Sequence, residues 1–318
     1  MEPMNNETFD PGLTQMFGGT VRRFIDKDGS FNVHRKDRLL QNLHVFQYLI
    51  GLSWPSFVGF VILSYLLVNA VFALLYLIAG IEHLQGAQAG TLGEAFLSAF
   101  FFSVQTLTTV GYGSIVPTGV ETNLLASLEA MTGVMGFAFG AGLLYGRFSR
   151  PSARLLFSEK VLIAPYQDGL SLQFRIANQR TNAITDLEAK VLLMTVETFS
   201  GGQHRRKYDT LTLERPAVYF LPLTWTVVHP IDEASPFHGK TPEELAALQA
   251  ELLILVKGFD DTFSQMVHVR YSYRYDEILW GAKFKPAFHI DGRGDLILDL
   301  DKISDLESVP LREGSRNP

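Results

Sequence analysis

Between Arg38 and Arg147 the chain contains no lysine or arginine, and its only carboxylates there are Glu82, Glu94, Glu121 and Glu129. A water-exposed fold of that length would carry cations; a hydrocarbon interior excludes them. Within the stretch, Pro55–Ala79 is almost continuously apolar and long enough to cross a core about 30 Å thick, and Asn123–Phe148 is a second such segment. Basic residues stand outside both ends, at Arg22, Arg23, Lys27, Arg35, Lys36 and Arg38 before and at Arg147, Arg150 and Arg154 after. Cations collect on the cytoplasmic side, so the expectation is a multi-pass protein with both termini cytoplasmic and the 80–120 loop outside. The first 36 residues are polar, so the first span itself is expected to direct insertion, without a cleaved signal.

A third apolar segment, Ala95–Thr106, is too short to cross. Thr91-Leu92-Gly93-Glu94 before it fits a capping box, with hydroxyl and carboxylate satisfying free amides at a helix start near residue 93. The helix over 93–106 has the length of a re-entrant segment. It runs into Thr109-Val110-Gly111-Tyr112-Gly113. Non-helical backbone survives at membrane depth only where protein buries it or water lines it. Four copies of such a run around an axis can turn their carbonyl oxygens inward and replace the hydration shell of potassium ions. Glycine is free of the Cβ penalty for left-handed dihedrals, and Thr109 adds a hydroxyl at the inner mouth. Five residues rising about 3 Å each give a filter of roughly 12–15 Å. The re-entrant helix directs its partially negative C-terminus at the cavity, which favours a cation.

From about Ser152 the composition turns polar and alternates with period two, as in Leu170–Ile176 and Ala217–Leu221. Turn residues punctuate it at Gln167–Gly169, Asn178–Asn182, Ser200–Gly202 and Asp291–Gly294. Short strands at this spacing predict a β-sandwich. Thr241-Pro242-Glu243-Glu244 predicts one helix, with an N-cap, a proline at the first position and acids in the first turn. The first dozen residues and Ser308–Pro318 read as disordered tails. With no cysteine, the chain has no disulfide, thiolate metal site or cysteine nucleophile. The 8 histidines are scattered without metal-ligand spacing. Asp291–Asp295 lacks the glutamate of a calcium loop and reads as a hairpin turn. Gly140-Ala141-Gly142 follows no strand, which rules out a dinucleotide motif. No enzyme site, cofactor or nucleic-acid partner is indicated.

The chain resembles the prokaryotic branch of the inward-rectifier potassium channel family, from about Asp37 to Leu300. The resemblance rests on Ser53-Trp54-Pro55, on the filter with Phe101–Thr106 before it, and on Arg150-Pro151. In the soluble part it rests on Phe174–Arg180, His229–Pro236 and Asp276–Gly281. It implies a homotetramer, a slide helix over about Asp37–Ile50 and cytoplasmic immunoglobulin-like domains that extend the ion path. The implied division is an N-terminal cytoplasmic tail (1–36), a slide helix and pore (37–151), and a cytoplasmic β-sandwich with a disordered tail (152–318). Two departures stand out. Eukaryotic members carry cysteines around the filter and a pore-helix glutamate paired with an arginine; here that position is Gln105, with no arginine in the loop. Glu129 is then either a substitute carboxylate supporting the filter or an acid bonded to backbone.

Phe137, Ala141 and Tyr145 recur at i+4 spacing and lie near one helix face. The resemblance places Phe137 and Tyr145 at the family's gate, where apolar rings stop ions by dewetting, and Gly133 at its hinge. Gly136, Gly140, Gly142 and Gly146 form small-residue pairs that let helices approach closely. It also assigns Arg147 and Arg150, with Arg35 and Lys36 at the slide helix, to anionic lipid or phosphoinositide headgroups; each such cation contributes about 1 kcal/mol. Asp186 and Lys257 match cytoplasmic pore positions. With Phe137 where strong rectifiers carry an acid, weak rectification is expected. The implied function is a potassium-selective channel of a bacterial inner membrane, gated at the inner-helix crossing by its cytoplasmic domain and by lipid. Two other functions fit parts of the sequence. One is a membrane-anchored β-sandwich binding protein; the other is a two-helix potassium channel gated through a different ligand domain.

Overall fold

The computed structural model describes residues 11–13, 16–18, 23–33, 45–149, 154–198 and 203–311. They form two units, Lys36–Arg150 and a discontinuous unit of Met1–Arg35 with Pro151–Pro318. The first strand, β1 (Met16–Gly18), belongs to the discontinuous unit.

Among the described residues the membrane unit contains four α-helices: α1 (Val45–Gly51), α2 (Trp54–Ala79), α3 (Leu92–Leu107) and α4 (Val120–Phe148). Ser53 caps α2, its side chain accepting from the Ser56 N–H, and Pro55 occupies the first turn, where no N–H is needed. The helix ends at Gly80, φ 104°. α2 and α4 are long and apolar enough to cross a membrane. Only 17% and 11% of their most apolar windows are buried, unlike the core helix of a soluble domain.

α3 starts on the expected capping box, with Glu94 Oε2 accepting from the Thr91 N–H at 2.8 Å and Thr91 Oγ1 from the Glu94 N–H at 3.2 Å. Ala95, Ala99, Phe102 and Ser103 are buried and recur three to four residues apart, so one face of α3 turns inward. It meets Ala73 and Tyr76 of α2, with the Tyr76 and Phe102 rings edge to face at 5.1 Å. A short antiparallel pair, β2 (Leu84–Gln85) with β3 (Val116–Pro117), closes the loop around α3. Residues 37–44 of the expected slide helix lie outside the described residues; its remainder, α1, packs Leu49 and Ile50 against Phe57 and Leu143.

The discontinuous unit is the expected β-sandwich. Its strands are β4 (Leu155–Phe157), β5 (Val161–Tyr166), β6 (Gly169–Asn178), β7 (Ile184–Thr198), β8 (Gln203–Thr210), β9 (Ala217–Phe220) and β10 (Thr224–Ile231), followed by helix α5 (Pro242–Ala247). Then come β11 (Glu251–Asp260), β12 (Gln265–Arg274), β13 (Ile278–Trp280), β14 (Ala282–Phe284), β15 (Phe288–Ile290), β16 (Leu296–Leu298) and β17 (Leu306–Ser308). One sheet runs β1-β8-β7-β11-β12 with β9 on β7; the other runs β10-β6-β5-β13 with β4 on β6. Leu187, Val191 and Leu193 of β7 and Leu252, Ile254 and Val256 of β11 alternate inward and meet Ile163, Leu172, Phe174 and Ile176. α5 has the expected N-cap at Thr241, with Glu244 completing a capping box, and buries Leu245.

The alternation in β6 does not divide core from water. Ser171 and Arg175 are buried too, because further chain covers that face: Arg175 donates to Lys285 O at 2.8 Å and lies over the Phe284 ring. Ala217–Phe220 is largely exposed despite its alternation. Ser308, expected in a disordered tail, closes β17 against β14, and the Val309 N–H donates to Gly281 O. Residues 312–318, 1–10 and the Ser200–Gly202 turn lie outside the described residues.

Residues 23–33 dock onto this unit. The buried Glu251 carboxylate accepts the Phe24 N–H at 3.1 Å and the Ile25 N–H at 3.5 Å. Arg23 donates to Ser272 and Glu277, and Lys27 pairs with Glu277 at 2.7 Å. Burial alone would raise the Glu277 carboxyl; hydrogen bonds from Lys27 and from the Arg274 N–H hold it below the usual range instead.

Candidate ion pathway

At the end of α3 the backbone leaves the helix through Gln105. Its carbonyl oxygen accepts the Val110 N–H at 2.9 Å and the Gly111 N–H at 3.3 Å, while the Thr109 N–H reaches Thr106 O at 3.0 Å. Thr108 ties itself down as well, its hydroxyl donating to Val104 O at 2.7 Å. From there φ is positive at Thr109 (60°), Gly111 (56°) and Gly113 (80°), while Val110 and Tyr112 are not in that region. Alternating handedness aligns successive carbonyls along one side of the chain, as a single-file cation site requires. The two glycines were legible as permissive positions; the left-handed Thr109 was not, since a β-branched residue there runs against local preference. Residues 109–114 are all exposed in the single chain.

Behind this segment lies a buried polar group in an otherwise apolar unit. Glu129 of α4 is 0% exposed. The Tyr76 hydroxyl donates to its Oε2 at 2.7 Å, and Ser103 of α3 closes a short hydrogen bond to Oε1. Ser103 Oγ also lies 3.0 Å from Asn69 Oδ1, and Asn69 Nδ2 donates to Tyr65 O at 2.7 Å. The partners of Glu129 are thus side chains of the two neighbouring helices rather than backbone groups. Sequence reasoning missed Asn69, Tyr76 and Ser103; the available signal was a polar side chain within an apolar stretch on each of those helices.

One turn further along α4, Gly133 abuts α3. A Cβ there would overlap the Leu107 carbonyl, so close packing requires a glycine at this position. A Cβ added at Gly136, Gly140 or Gly142 would meet no other part of this chain within 4 Å, whereas one at Gly146 would press on Ile50 of α1. Phe137 and Tyr145 are 81% and 74% exposed, and Ala141 between them is exposed too.

Of the basic residues assigned to lipid, Arg147 lies among the described residues. Arg147 Nη1 donates to Leu49 O at 3.0 Å and Ile50 O at 2.9 Å, and Nη2 to Leu52 O at 2.9 Å. The guanidinium lies 4.6 Å from the Trp54 ring centre and 4.5 Å from that of Phe57. Most of its donors thus satisfy free carbonyls at the C-terminus of α1, a partner set internal to the protein. Arg150, Arg35 and Lys36 lie outside the described residues.

In the β-domain Lys257 of β11 stands opposite Glu188 of β7. Its ammonium lies 2.5 Å from Glu188 Oε2, and the hydrogen bond from Lys257 holds the Glu188 carboxyl below its usual range. Asp186, exposed with φ 50°, sits where the β7–β11 register shifts, a conformation that aspartate tolerates better than most residues. The Asp291–Asp295 segment is a hairpin turn between β15 and β16, Asp291 accepting the N–H groups of Arg293 and Asp295. In the His229–Pro236 segment, His229 Nδ1 meets Thr212 O at 2.7 Å and Nε2 meets Ser235 Oγ at 2.8 Å. Burial lowers the affinity of this imidazole for a second proton.

Comparison with known proteins agrees with both units. Residues 155–317 match the model of the inward rectifier potassium channel C-terminal domain, and residues 60–148 match an ion channel model. The inward rectifier potassium channel Kirbac3.1 of Paramagnetospirillum magnetotacticum is 38% identical over 287 residues, covering 89% of this chain and 95% of that protein. The human G protein-activated inward rectifier potassium channel 3 is 29% identical over 310 residues, 90% of this chain and 78% of its own. The chain belongs to the inward rectifier potassium channel family.

Proposed function

We propose that four copies of this chain surround an axis and conduct potassium through Thr109–Gly113, with Thr109, Val110, Gly111 and Tyr112 as ion ligands. The observation that carries this reading is the alternation of φ along that run, held by paired N–H groups on Gln105 O. The exposure of the filter residues and of the apolar face of Phe137 and Tyr145 fits a surface completed by further copies. Phe137 and Tyr145 narrow the path at its inner end, and the β-domain governs that constriction. Arg147, Arg150, Arg35 and Lys36 meet anionic lipid, and Arg147 also holds the end of α1. The membrane is a bacterial inner membrane, with both termini cytoplasmic and the filter loop outside. Asp186 and the Lys257–Glu188 pair line the cytoplasmic extension of the path, which rectifies weakly.

The test is rubidium uptake into proteoliposomes loaded with potassium or with sodium, across vesicles with and without anionic lipid. Potassium-dependent uptake that changes with anionic lipid is expected. Equal uptake under both loading conditions would remove the filter, and a lipid-independent rate would remove the headgroup site.

A further inference from the structure

Asn69 Oδ1, Ser103 Oγ, the two Glu129 carboxyl oxygens and Tyr76 Oη form one line of buried polar atoms. It joins α2, α3 and α4 at a single point. The line contains three oxygen–oxygen contacts, Asn69 to Ser103, Ser103 to Glu129 and Glu129 to Tyr76, and each needs one proton. Serine and tyrosine hydroxyls supply one each. The Asn69 amide cannot supply the third by turning over. Its Nδ2 donates to Tyr65 O at 2.7 Å, and a reversed amide would press two carbonyl oxygens together there. Ser103 must therefore donate to Asn69 Oδ1, which leaves its contact with Glu129 without a hydrogen.

We propose that Glu129 carries that third proton on Oε1, and that this neutral acid is a positioning residue for the ion filter. Tyr76 is the one titratable group hydrogen-bonded to it among the described residues, and it already donates its own proton to Oε2. The acid donates to Ser103, Ser103 to Asn69, and the middle of α3 is fixed to both long helices. Two residues beyond Ser103 lies Gln105, whose carbonyl oxygen holds Val110 and Gly111. The line thus runs from the inner helix to the backbone of the filter. It supports the pore helix without a cation, whereas the glutamate–arginine pair of eukaryotic members needs one. Burying a neutral acid with every proton used avoids the cost of an unpaired charge in an apolar setting. This inference rests on the filter reading proposed above.

The experiment compares the full chain with Glu129→Gln and Glu129→Ala in proteoliposomes and reads potassium-over-sodium discrimination. The unmodified protein is also examined by infrared spectroscopy for the carbonyl band of a protonated carboxyl. In Glu129→Gln the side-chain amide donates to Ser103 as the acid does, so discrimination should be retained. Alanine leaves the buried Tyr76 hydroxyl without an acceptor and Ser103 without its donor, and discrimination should fall about tenfold. The infrared band should be present in the unmodified protein and absent from Glu129→Gln. Absence of the band, or a glutamine variant as impaired as alanine, overturns the protonated state. An alanine variant with full discrimination overturns the positioning role. Should the alanine variant fail to assemble, the band and the glutamine variant still decide. Failure of the filter reading is separate: Gly111→Ala would then discriminate normally, whatever the infrared band shows.

Discussion

Lys257 and Glu188 stand directly opposite each other on β11 and β7, and their charged groups meet at 2.5 Å. Placed on the cytoplasmic ion path, such a pair presents almost no net charge to a polyvalent cation. Exposed charges beyond it are screened within about 8 Å at physiological ionic strength. Phe137 likewise offers no charge. Spermine applied from the cytoplasmic side is expected to block the unmodified channel weakly. Lys257→Gln leaves Glu188 with only the more distant Lys190 at 3.8 Å and should lower the half-blocking concentration several-fold. Strong voltage-dependent block of the unmodified protein would contradict this.

At Gly111, φ is 56°. Alanine in that region meets a Cβ penalty of about 1–2 kcal/mol, repeated in every copy around the axis. Gly111→Ala is expected to reach the membrane and lose potassium-over-sodium discrimination. Rubidium and sodium fluxes from the same vesicles measure it, and an unchanged ratio would refute the assignment.

Gly133→Ala tests packing against hinge motion. The added methyl meets the Leu107 backbone, which no side-chain rotation relieves. Overpacking of this kind costs about 1–3 kcal/mol, so the detergent-solubilised variant should melt at lower temperature. A hinge alone predicts an unchanged melting point with altered gating.

His229 gives the β-domain a pH dependence. Burial lowers its folded-state pKa, partly offset by the hydrogen bond to Thr212 and by Asp232. The unfolded chain therefore takes up the proton first as pH falls. The contribution is complete above the unfolded value of about 6.5 and is lost as pH drops from there through the depressed folded value. Thermal unfolding between about pH 5 and 8 should show this loss, and His229→Gln should flatten that part of the profile.

The parts legible in the sequence are those set by local rules. The capping box at Thr91, the N-cap at Thr241 and the spans around α2 and α4 follow from residue type and spacing, and the structure reproduces them. Partnerships across the fold were not legible. Nothing local tells Arg147 that three carbonyls from Leu49 to Leu52 await it, or pairs Lys257 with Glu188. The pairing with Glu188 follows from the β7–β11 register, which runs unbroken from Glu251–Met194 to Lys257–Glu188, and a strand turns its side chains over with each residue of slip. Arg175 reads as outward-facing in an alternating strand and is buried, because a later segment covers it.

The docking of residues 23–33 onto β11 and β12 has a topological consequence. The socket formed by Glu251, Ser272 and Glu277 can be filled by Arg23, Phe24 and Ile25 only on its own face of the bilayer. The chain between them must then cross an even number of times, a parity that holds whatever the flanking charges. α2 and α4 supply two crossings, and α3 cannot add a third without stranding the segment on the far side. Arg23 and Glu277 are 254 positions apart. At typical synthesis rates the N-terminal segment therefore waits on the order of ten to fifty seconds for its socket. Failure of either span to insert would leave segment and socket on opposite faces, and the β-domain would stay open.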